Sequence, residues 1–389
     1  MKPTLHLFLY VVARVDDPYS GIRQRLSGME AHSTVDIRLT KEQYEITRSV
    51  EYSSRKYIRV IHYRSIFSDI ERLIDQAITS SGCHEVVLYL ADEGVWAEIV
   101  GEIKQQQLKK GIKLKTINVQ HGFFVLSRRA SERRLALAVR KIINAVSKLI
   151  FGYPNFGLTF GRGKLDVYLV YGDNEAQFLR QSGHRDVFVC PQLIKQGFVT
   201  RFEQYPAAVP GIKKALFVMP HFVPGTGMKC DYDEFLRFIT PLFTALIRDY
   251  QFEVFLRFHP GMKREEWYPG FQASAISNFS QIDECTDIAQ SMSQCSYVFG
   301  LHSTALFEAM LVGKVPVSLY TPFLDAQLEF THEALQSENP LEEELGKLMQ
   351  PAVAQKYRQL SADDSGTVEF FRSVLELTSK EGDHSFPDI

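Results

Sequence analysis

Short apolar runs alternate with helix-patterned segments along the whole chain, which is typical of βαβ units that form a parallel sheet. Such runs predict strands in the first half of the chain at Leu5–Val12, Glu85–Leu90, Lys115–Val119, Asp166–Tyr171 and Val187–Cys190. The segment Ile66–Ile78 predicts a helix, because its apolar residues recur at three- and four-residue spacing on one face. A second helix is predicted to begin after Gly172 and to end at Gly183.

The regular pattern is interrupted at residues 201–213, where two prolines and a glycine occur without helix or strand periodicity. We expect an interdomain linker there. A second series of predicted strands follows at Ala215–Met219, Glu253–Phe258, Tyr297–Gly300 and Val315–Tyr320. Helices are predicted over about Tyr232–Asp249 and Ser303–Val312, and near the end of the chain over about Thr367–Leu377.

These elements predict an α/β protein with two Rossmann-like domains that meet at a cleft. The first domain is expected to span residues 1–200 and the second residues 214–365. Residues 366–389 then form a C-terminal helix and tail, with the helix free to pack back across the cleft.

The composition excludes some classes of protein. The chain has 389 residues, 45% of them apolar, which is enough to give each domain a core. Its 44 basic and 46 acidic residues leave a net charge of −2, so no global excess of positive charge points to nucleic acid. The five cysteines include no CxxC pair and no Cys/His cluster. This argues against a disulfide framework and a structural zinc site, and it predicts a reducing, cytoplasmic compartment.

The apolar run from Leu5 to Ala13 has the charge order of a signal peptide. His6 interrupts the run and no small-residue cleavage site follows, so we interpret the run as a buried first strand. No stretch reaches the roughly 20 apolar residues that span a bilayer. We therefore expect a soluble or peripheral protein.

Two polar motifs of the first half stand at predicted strand ends, where open parallel sheets place their ligands. Asp92-Glu93-Gly94 follows Glu85–Leu90, and either carboxylate is suited to act as a general base. The alternative is that the acidic pair caps the next helix. In Gln120-His121-Gly122, His121 can donate to a phosphate or an acceptor hydroxyl, and Gly122 permits close backbone approach. The alternative for this histidine is a hydrogen bond to a neighbouring backbone group.

The second half carries three further strand-end motifs. His221, Gly225 and Gly227 lie in the loop after its first predicted strand, where a strand, a glycine-bearing loop and a helix can present N–H groups to a phosphate. His259-Pro260 follows the next strand along the chain. Ser303-Thr304 precedes a predicted helix, and its hydroxyls can cap that helix or bind an anion at its N-terminus.

Three of these motifs resemble those of bacterial sialyltransferases and polysialyltransferases. Asp92-Glu93-Gly94, His259-Pro260 and Ser303-Thr304 match the acidic, HP and S/T motifs of that family in order, approximate spacing and strand-end placement. Those enzymes have the GT-B fold, with two Rossmann-like domains facing a central cleft, and they use CMP-activated nonulosonic acids. Capsule-type Kdo transferases and polyol-phosphate polymerases are similar too, through Gln120-His121-Gly122, Arg257–Pro260 and Ser303–Pro316.

The resemblance implies a role for each matching residue. A carboxylate, Glu93 or Asp92, would deprotonate the acceptor hydroxyl, and Glu93 is favoured because it stands beside the turn glycine. His259 would contact the CMP phosphate and assist its departure. Ser303 and Thr304 would bind the same phosphate.

No metal and no cofactor besides the CMP-sugar donor is predicted. Asp231-Tyr232-Asp233 has the letters of a DxD metal motif, but we interpret it as the start of a helix. Histidine, hydroxyls and a helix N-terminus can neutralise a departing phosphate without a metal ion.

Residues 128–164 form a basic insertion in the first domain, with nine basic residues against one acid. An apolar face of a predicted helix is formed by Leu135, Leu137, Val139, Ile142, Ile143, Val146, Leu149 and Ile150. A basic amphipathic helix of this kind lies on an anionic membrane surface or holds an anionic glycan acceptor. The alternative is a solvated helix that packs on its domain by the apolar face.

Two functions of different classes therefore remain open. The first is a glycosyltransferase that moves a sialic acid-like or other ulosonic acid residue from a CMP-sugar to a glycan acceptor. It would act in bacterial capsule or lipopolysaccharide synthesis, at the inner face of the membrane. The second is a nucleotide-sugar epimerase, or a non-catalytic nucleotide- or sugar-binding module, of the same two-domain architecture.

Overall fold

The chain is described by a computed structural model that divides into two compact units. Met1–Lys195 and Asp364–Ile389 form the first domain, and Gln196–Asp363 forms the second. The structure describes residues 3–10, 17–29, 31–40, 42–43, 59–91, 94–120, 142–143, 145–146, 165–207, 213–220, 230–259, 262–278, 280–301, 303–319, 321, 333–335, 340–361 and 365–374.

The first domain contains a six-stranded parallel sheet in the order β2-β1-β3-β4-β5-β6. Its strands are β1 Thr4–Tyr10, β2 His32–Arg38, β3 Glu85–Leu90, β4 Lys113–Val119, β5 Val167–Val170 and β6 Asp186–Val189. The central strands are almost continuous apolar runs, as expected of parallel strands that are buried on both faces. The chain adds β2 on one side of β1 and β3 on the other, so the strand order reverses between β1 and β3.

Helices cover this sheet: α1 Ser20–Ser27, α2 Arg59–Ser81, α3 Gly94–Lys109, α4 Asp173–Gln181 and α5 Pro191–Ile194. On one sheet face, alternate residues such as Leu7 and Leu88 join a core with the apolar stripes of the helices, which include Trp96. The opposite face is aromatic, because the rings of Phe8 and Tyr89 stack there with centroids 4.6 Å apart. The two faces follow from the strand period of two residues.

The second domain has a parallel sheet of its own, in the order β12-β11-β10-β7-β8-β9. Its strands are β7 Lys214–Val218, β8 Glu253–Arg257, β9 Ser280–Ile282, β10 Tyr297–Gly300, β11 Val315–Leu319 and β12 Glu333–Leu335. Counted within the domain, this is the Rossmann strand order 3-2-1-4-5-6. Its order reverses between β7 and β10.

The helices of the second domain are α6 Gln196–Glu203, α7 Tyr232–Arg248, α8 Arg264–Ala273, α9 Ile288–Ser293, α10 Thr304–Leu311, α11 Leu341–Leu348 and α12 Pro351–Leu360. On one sheet face, Phe217 packs edge-on against Phe243 of α7, with ring centroids 5.2 Å apart. On the other face, Leu216 joins a separate cluster with Leu306 of α10. The sheet is therefore buried between two helical layers, as in doubly wound folds.

The predicted C-terminal helix is present as α13, Ser365–Val374, and it belongs to the first domain. It packs on β6, where Phe370 meets Phe188 at a ring-centroid distance of 5.9 Å. Gly366 allows this contact, because a Cβ atom at that position would overlap the carbonyl oxygen of Val189. The helix thus returns to the domain in which the chain begins.

The boundary between the domains differs from the predicted linker. The division falls between Lys195 and Gln196, and α6 continues to Glu203, so residues 201–203 are helical. The helix forms because Phe198 is buried in the core of the second domain. Residues 204–207 follow it without helix or strand, and residues 208–212 lie outside the described residues.

Only a small part of the basic insertion is described, namely residues 142–143 and 145–146, and these four residues are helical as predicted. Among the helices that the structure describes, none has both the length and the apolar character needed to cross a bilayer.

Candidate functional site

The reversal of strand order marks one crevice in each domain. In open parallel sheets, ligands bind outside the carboxyl ends of the strands at this switch point. In the second domain, the carboxyl ends of β7 and β10 border the switch point, and β10 leads through Leu301 to Ser303 and α10. In the first domain, β1 and β3 border it.

The N-terminus of α10 is built by hydrogen bonds on both sides of the switch-point turn. Ser303 is the N-cap residue, and its Oγ accepts from the backbone N–H of Ala305 at 3.2 Å. Behind the turn, the buried hydroxyl of Ser318 on β11 donates to the carbonyl oxygen of Leu301 at 2.9 Å. The sequence analysis missed Ser318. It fixes the turn, so that the half-buried Ser303 and Thr304 stand at the positive end of the helix.

His259 stands at the same edge of the sheet, after β8. It is exposed, and its carbonyl oxygen accepts from the N–H of Met262 at 2.9 Å in a tight turn. The preceding residue anchors this turn, because the Phe258 ring lies nearly parallel to the indole of Trp267, 9° from coplanar, with centroids 3.4 Å apart. The aromatic stack therefore holds the histidine at the rim.

Arg257, at the end of β8, stabilises this edge of the sheet through hydrogen bonds inside the domain. Its guanidinium donates to the Asp283 carboxylate at 2.7 Å and to the Ser291 hydroxyl at 3.0 Å. It also donates to the carbonyl oxygens of Cys285 at 2.9 Å and Thr286 at 3.2 Å. The Arg257 and Asp283 side chains are only 12% and 5% exposed. This arginine therefore ties the loop after β9 to β8 and is not a ligand-binding cation.

The switch point of the first domain is described only in part. Ala91, at the end of β3, is buried, and the acidic pair after it lies outside the described residues. The predicted site residues outside the described residues are Asp92, Glu93, His121, Gly122, His221, Gly225 and Gly227. Their roles stay predictions.

A buried carboxyl group that the sequence analysis missed lies along this edge of the first sheet. Glu175, in the first turn of α4, is 8% exposed, and burial raises its pKa. Its Oε1 accepts from the Gln120 amide at 3.4 Å, and the Oε1 of Gln120 in turn accepts from the N–H of Tyr171 at 2.9 Å. The pair joins the carboxyl ends of β4 and β5. The sequence does not show that this glutamate, which follows a strand, is buried.

The DxD-like segment is a helix start, as predicted. Asp231 is the N-cap of α7, and its carboxylate accepts from the N–H of Glu234 at 2.8 Å. Within the described part of the chain, no three His, Cys, Asp or Glu side chains converge to hold a metal ion.

No family model matches the chain, and no curated protein matches it in sequence. Its structure is similar to the UDP-GlcNAc 2-epimerase of Neisseria meningitidis bound to UDP-GlcNAc, with 9% identity and a TM-score of 0.55 over 97% of this chain and 100% of that one. It is similar to a UDP-N-acetylglucosamine 2-epimerase of Listeria monocytogenes described as putative, with 12% identity and a TM-score of 0.56 over 99% and 100%.

The epimerase of Methanocaldococcus jannaschii is also similar, with 12% identity and a TM-score of 0.55 over 96% of this chain and 99% of that one. At these identities the likeness shows the fold alone. The predicted α/β fold with two Rossmann-like domains of GT-B type is confirmed. The resemblance to sialyltransferases stays a prediction.

Proposed function

We propose that this chain is an enzyme that acts on a nucleotide sugar, and that the reaction is epimerisation of the sugar. The observation that carries the proposal is the capped N-terminus of α10 at the switch point of a Rossmann-ordered sheet. A helix N-terminus at such a position is suited to a phosphate group. Structures of UDP-GlcNAc 2-epimerases that match along nearly all of both chains support a nucleoside diphosphate sugar as the ligand.

The rim of the second sheet suits a diphosphate. Ser303 and Thr304 follow β10 and His259 follows β8, and these two strands flank β7. Two strand spacings separate the ends of β8 and β10 by roughly 10 Å. One phosphate would bind at the helix N-terminus and lie against the two hydroxyls. The histidine would then reach the second phosphate or the sugar.

Epimerisation by proton transfer at the carbon next to the anomeric carbon needs one group to remove the proton, while the C–H electron pair forms a double bond to the anomeric carbon and the nucleoside diphosphate leaves with the electrons of its C–O bond. A second group then returns a proton on the opposite face as the diphosphate adds back to the anomeric carbon. The strand-end carboxylates of the first domain, Asp92 and Glu93, are our candidates for this work. Glu175 belongs to the same edge: burial raises its pKa, and its carboxylate accepts a hydrogen bond from Gln120 at the strand ends.

Glycosyl transfer from a CMP-sugar is the second candidate function. The order and strand-end placement of Asp92-Glu93-Gly94, His259-Pro260 and Ser303-Thr304 support it. The phosphate would bind in the same place, but the carboxylate would remove a proton from an acceptor hydroxyl.

The two reactions differ in their products. The full chain would be incubated with UDP-GlcNAc in D₂O and, separately, with a CMP-activated ulosonic acid. Epimerisation gives an isomeric nucleotide sugar that carries deuterium at the inverted carbon, and NMR detects it. Transfer or hydrolysis releases CMP. The proposed activity would be refuted if no epimerised nucleotide sugar and no CMP were formed with either donor.

The phosphate site itself is tested by Ser303→Asp, read as the thermal shift caused by UDP or CMP. Aspartate caps a helix as well as serine does, so stability should be kept. Its carboxylate would repel the phosphate, and we expect nucleotide affinity to fall at least about tenfold. Ser303→Gly, which keeps most of the cap without adding charge, is the matched control. If Ser303→Asp left nucleotide affinity unchanged, the phosphate would not bind at this helix N-terminus.

A further inference from the structure

The basic insertion presents apolar side chains to solvent. The described residues Ile142, Ile143 and Val146 are 64%, 37% and 51% exposed, and Ala145 beside them is exposed too. These three large residues lie toward one side of the helix, because Val146 follows Ile142 by four residues and Ile143 by three. The alternative interpretation of this segment required its apolar face to pack on the first domain, and these three side chains do not do so.

The sequence around this face is strongly cationic. Residues 128–164 have a net charge of +8, although the whole chain has a net charge of −2, so the remainder carries −10. Arg140 and Lys141 directly precede the described helical residues, and Lys148 follows them closely. Val139 and Ile150 continue the three- and four-residue apolar spacing in the sequence. Apolar and basic positions therefore alternate with a helical period.

We propose that this face binds the surface of an anionic lipid bilayer, with Ile142, Ile143 and Val146 inserted at the boundary between headgroups and acyl chains. A helix with bulky apolar residues on one side and Lys or Arg on the other suits that interface. Cations near an anionic surface strengthen association by roughly fivefold each, and the effect weakens with salt. The surface is independent of the nucleotide site.

Other occupants fit the face less well. A second copy of the chain, docked symmetrically, would bring two segments of charge +8 together, and like charges oppose such contact. A soluble polyanion such as a glycan would satisfy the basic residues but would leave the exposed isoleucines without an apolar partner.

The test is co-sedimentation of the full chain with vesicles of phosphatidylcholine alone or mixed with phosphatidylglycerol, at low and high salt. We expect binding to the mixed vesicles only, weakened by salt. The triple variant Ile142→Gln, Ile143→Gln, Val146→Gln keeps good helix formers and should bind at least about tenfold more weakly. Leu108→Gln is the matched control, because Leu108 is a 60% exposed apolar residue of α3, outside the insertion, and should have no effect.

Two results would overturn the proposal. One is the absence of wild-type binding to the mixed vesicles. The other is equal binding by the wild type and the triple variant. Light scattering of both proteins reports self-association, and a wild-type dimer that the triple variant abolishes would assign the face to a second copy instead. Thermal shifts with UDP or CMP on the same variants should be unchanged, so failure here is distinguishable from failure of the nucleotide site.

Discussion

Acid should destabilise the first domain through a histidine that is buried in its sheet. His6 on β1 is 0% exposed, and its Nδ1 lies 3.1 Å from the Tyr89 hydroxyl and its Nε2 2.8 Å from Nδ1 of His32. Burial, together with the nearby His32, lowers the pKa of His6 from 6.5 to about 3. Burial also lowers the pKa of His32 and raises that of Tyr89, so all three groups are neutral near pH 7.

The direction of the pH effect follows from these shifts. The unfolded chain protonates His6 below its ordinary pKa of 6.5, whereas the folded domain resists protonation until about pH 3. The stability contributed by His6 is therefore present above pH 6.5 and is lost as the pH falls toward 3. Between pH 7 and pH 5 this single group should lower the free energy of unfolding by about 2 kcal/mol.

Urea unfolding at pH 7 and pH 5 measures the loss. The chain has two tryptophans, Trp96 in the first domain and Trp267 in the second, so a Trp267→Phe background lets Trp96 report the first domain. In the His6→Gln variant, the decrease in the free energy of unfolding from pH 7 to pH 5 should be about 2 kcal/mol smaller than in the wild type. This difference does not depend on how stable the variant is at pH 7. His84→Gln, at an exposed histidine just before β3, is the control and should keep the full loss. If His6→Gln also keeps it, the reasoning is wrong.

Two further predictions concern packing. Arg257→Leu should destabilise the second domain by about 3–5 kcal/mol in urea unfolding, because it removes the cationic partner of the buried Asp283 carboxylate. The double variant that also carries Asp283→Leu should recover most of the lost stability. If it recovers none, the destabilisation does not come from breaking the ion pair. Gly366→Ala should lower the melting temperature of the first domain, since the new methyl group meets the Val189 carbonyl. Gly101→Ala in α3 is the control, because no atom lies within 4 Å of the added carbon, and it should stabilise the domain slightly. If both variants changed the melting temperature equally, the predicted clash at Val189 would be wrong.

Most of the fold could be predicted, because buried parallel strands are continuous apolar runs. The predicted strands Glu85–Leu90 and Tyr297–Gly300 agree with the structure at both ends. Among the strands that the structure describes, β2, β9 and β12 were not predicted, and each lies at a sheet edge. An edge strand pairs on one side only and tolerates polar residues, as β2 does with its largely exposed sequence HSTVDIR. Strands of three residues, such as β9, leave too short a pattern to detect.

The candidate site was predictable only where it depends on strand ends. The placement of His259, Ser303 and Thr304 along one edge of the second sheet follows from the parallel topology. The contacts that hold this edge are between residues far apart in the chain. Arg257 bonds Asp283 across 26 positions, and Ser318 bonds the carbonyl of Leu301 across 17. No local pattern encodes such pairs.

The two switch points differ in chemistry, and the proposed function assigns phosphate binding to the groups of the second and proton transfer to the groups of the first. The described edge of the second sheet offers hydroxyls, a histidine and a helix N-terminus, which are groups that bind an anion. At the edge of the first sheet, Glu175 is buried beside Gln120, and in the sequence the acidic pair Asp92-Glu93 follows β3. Carboxylates repel a phosphate but can move protons. Substitutions at Ser303 should therefore reduce nucleotide affinity, whereas amide substitutions at Asp92 or Glu93 should reduce turnover and leave that affinity intact.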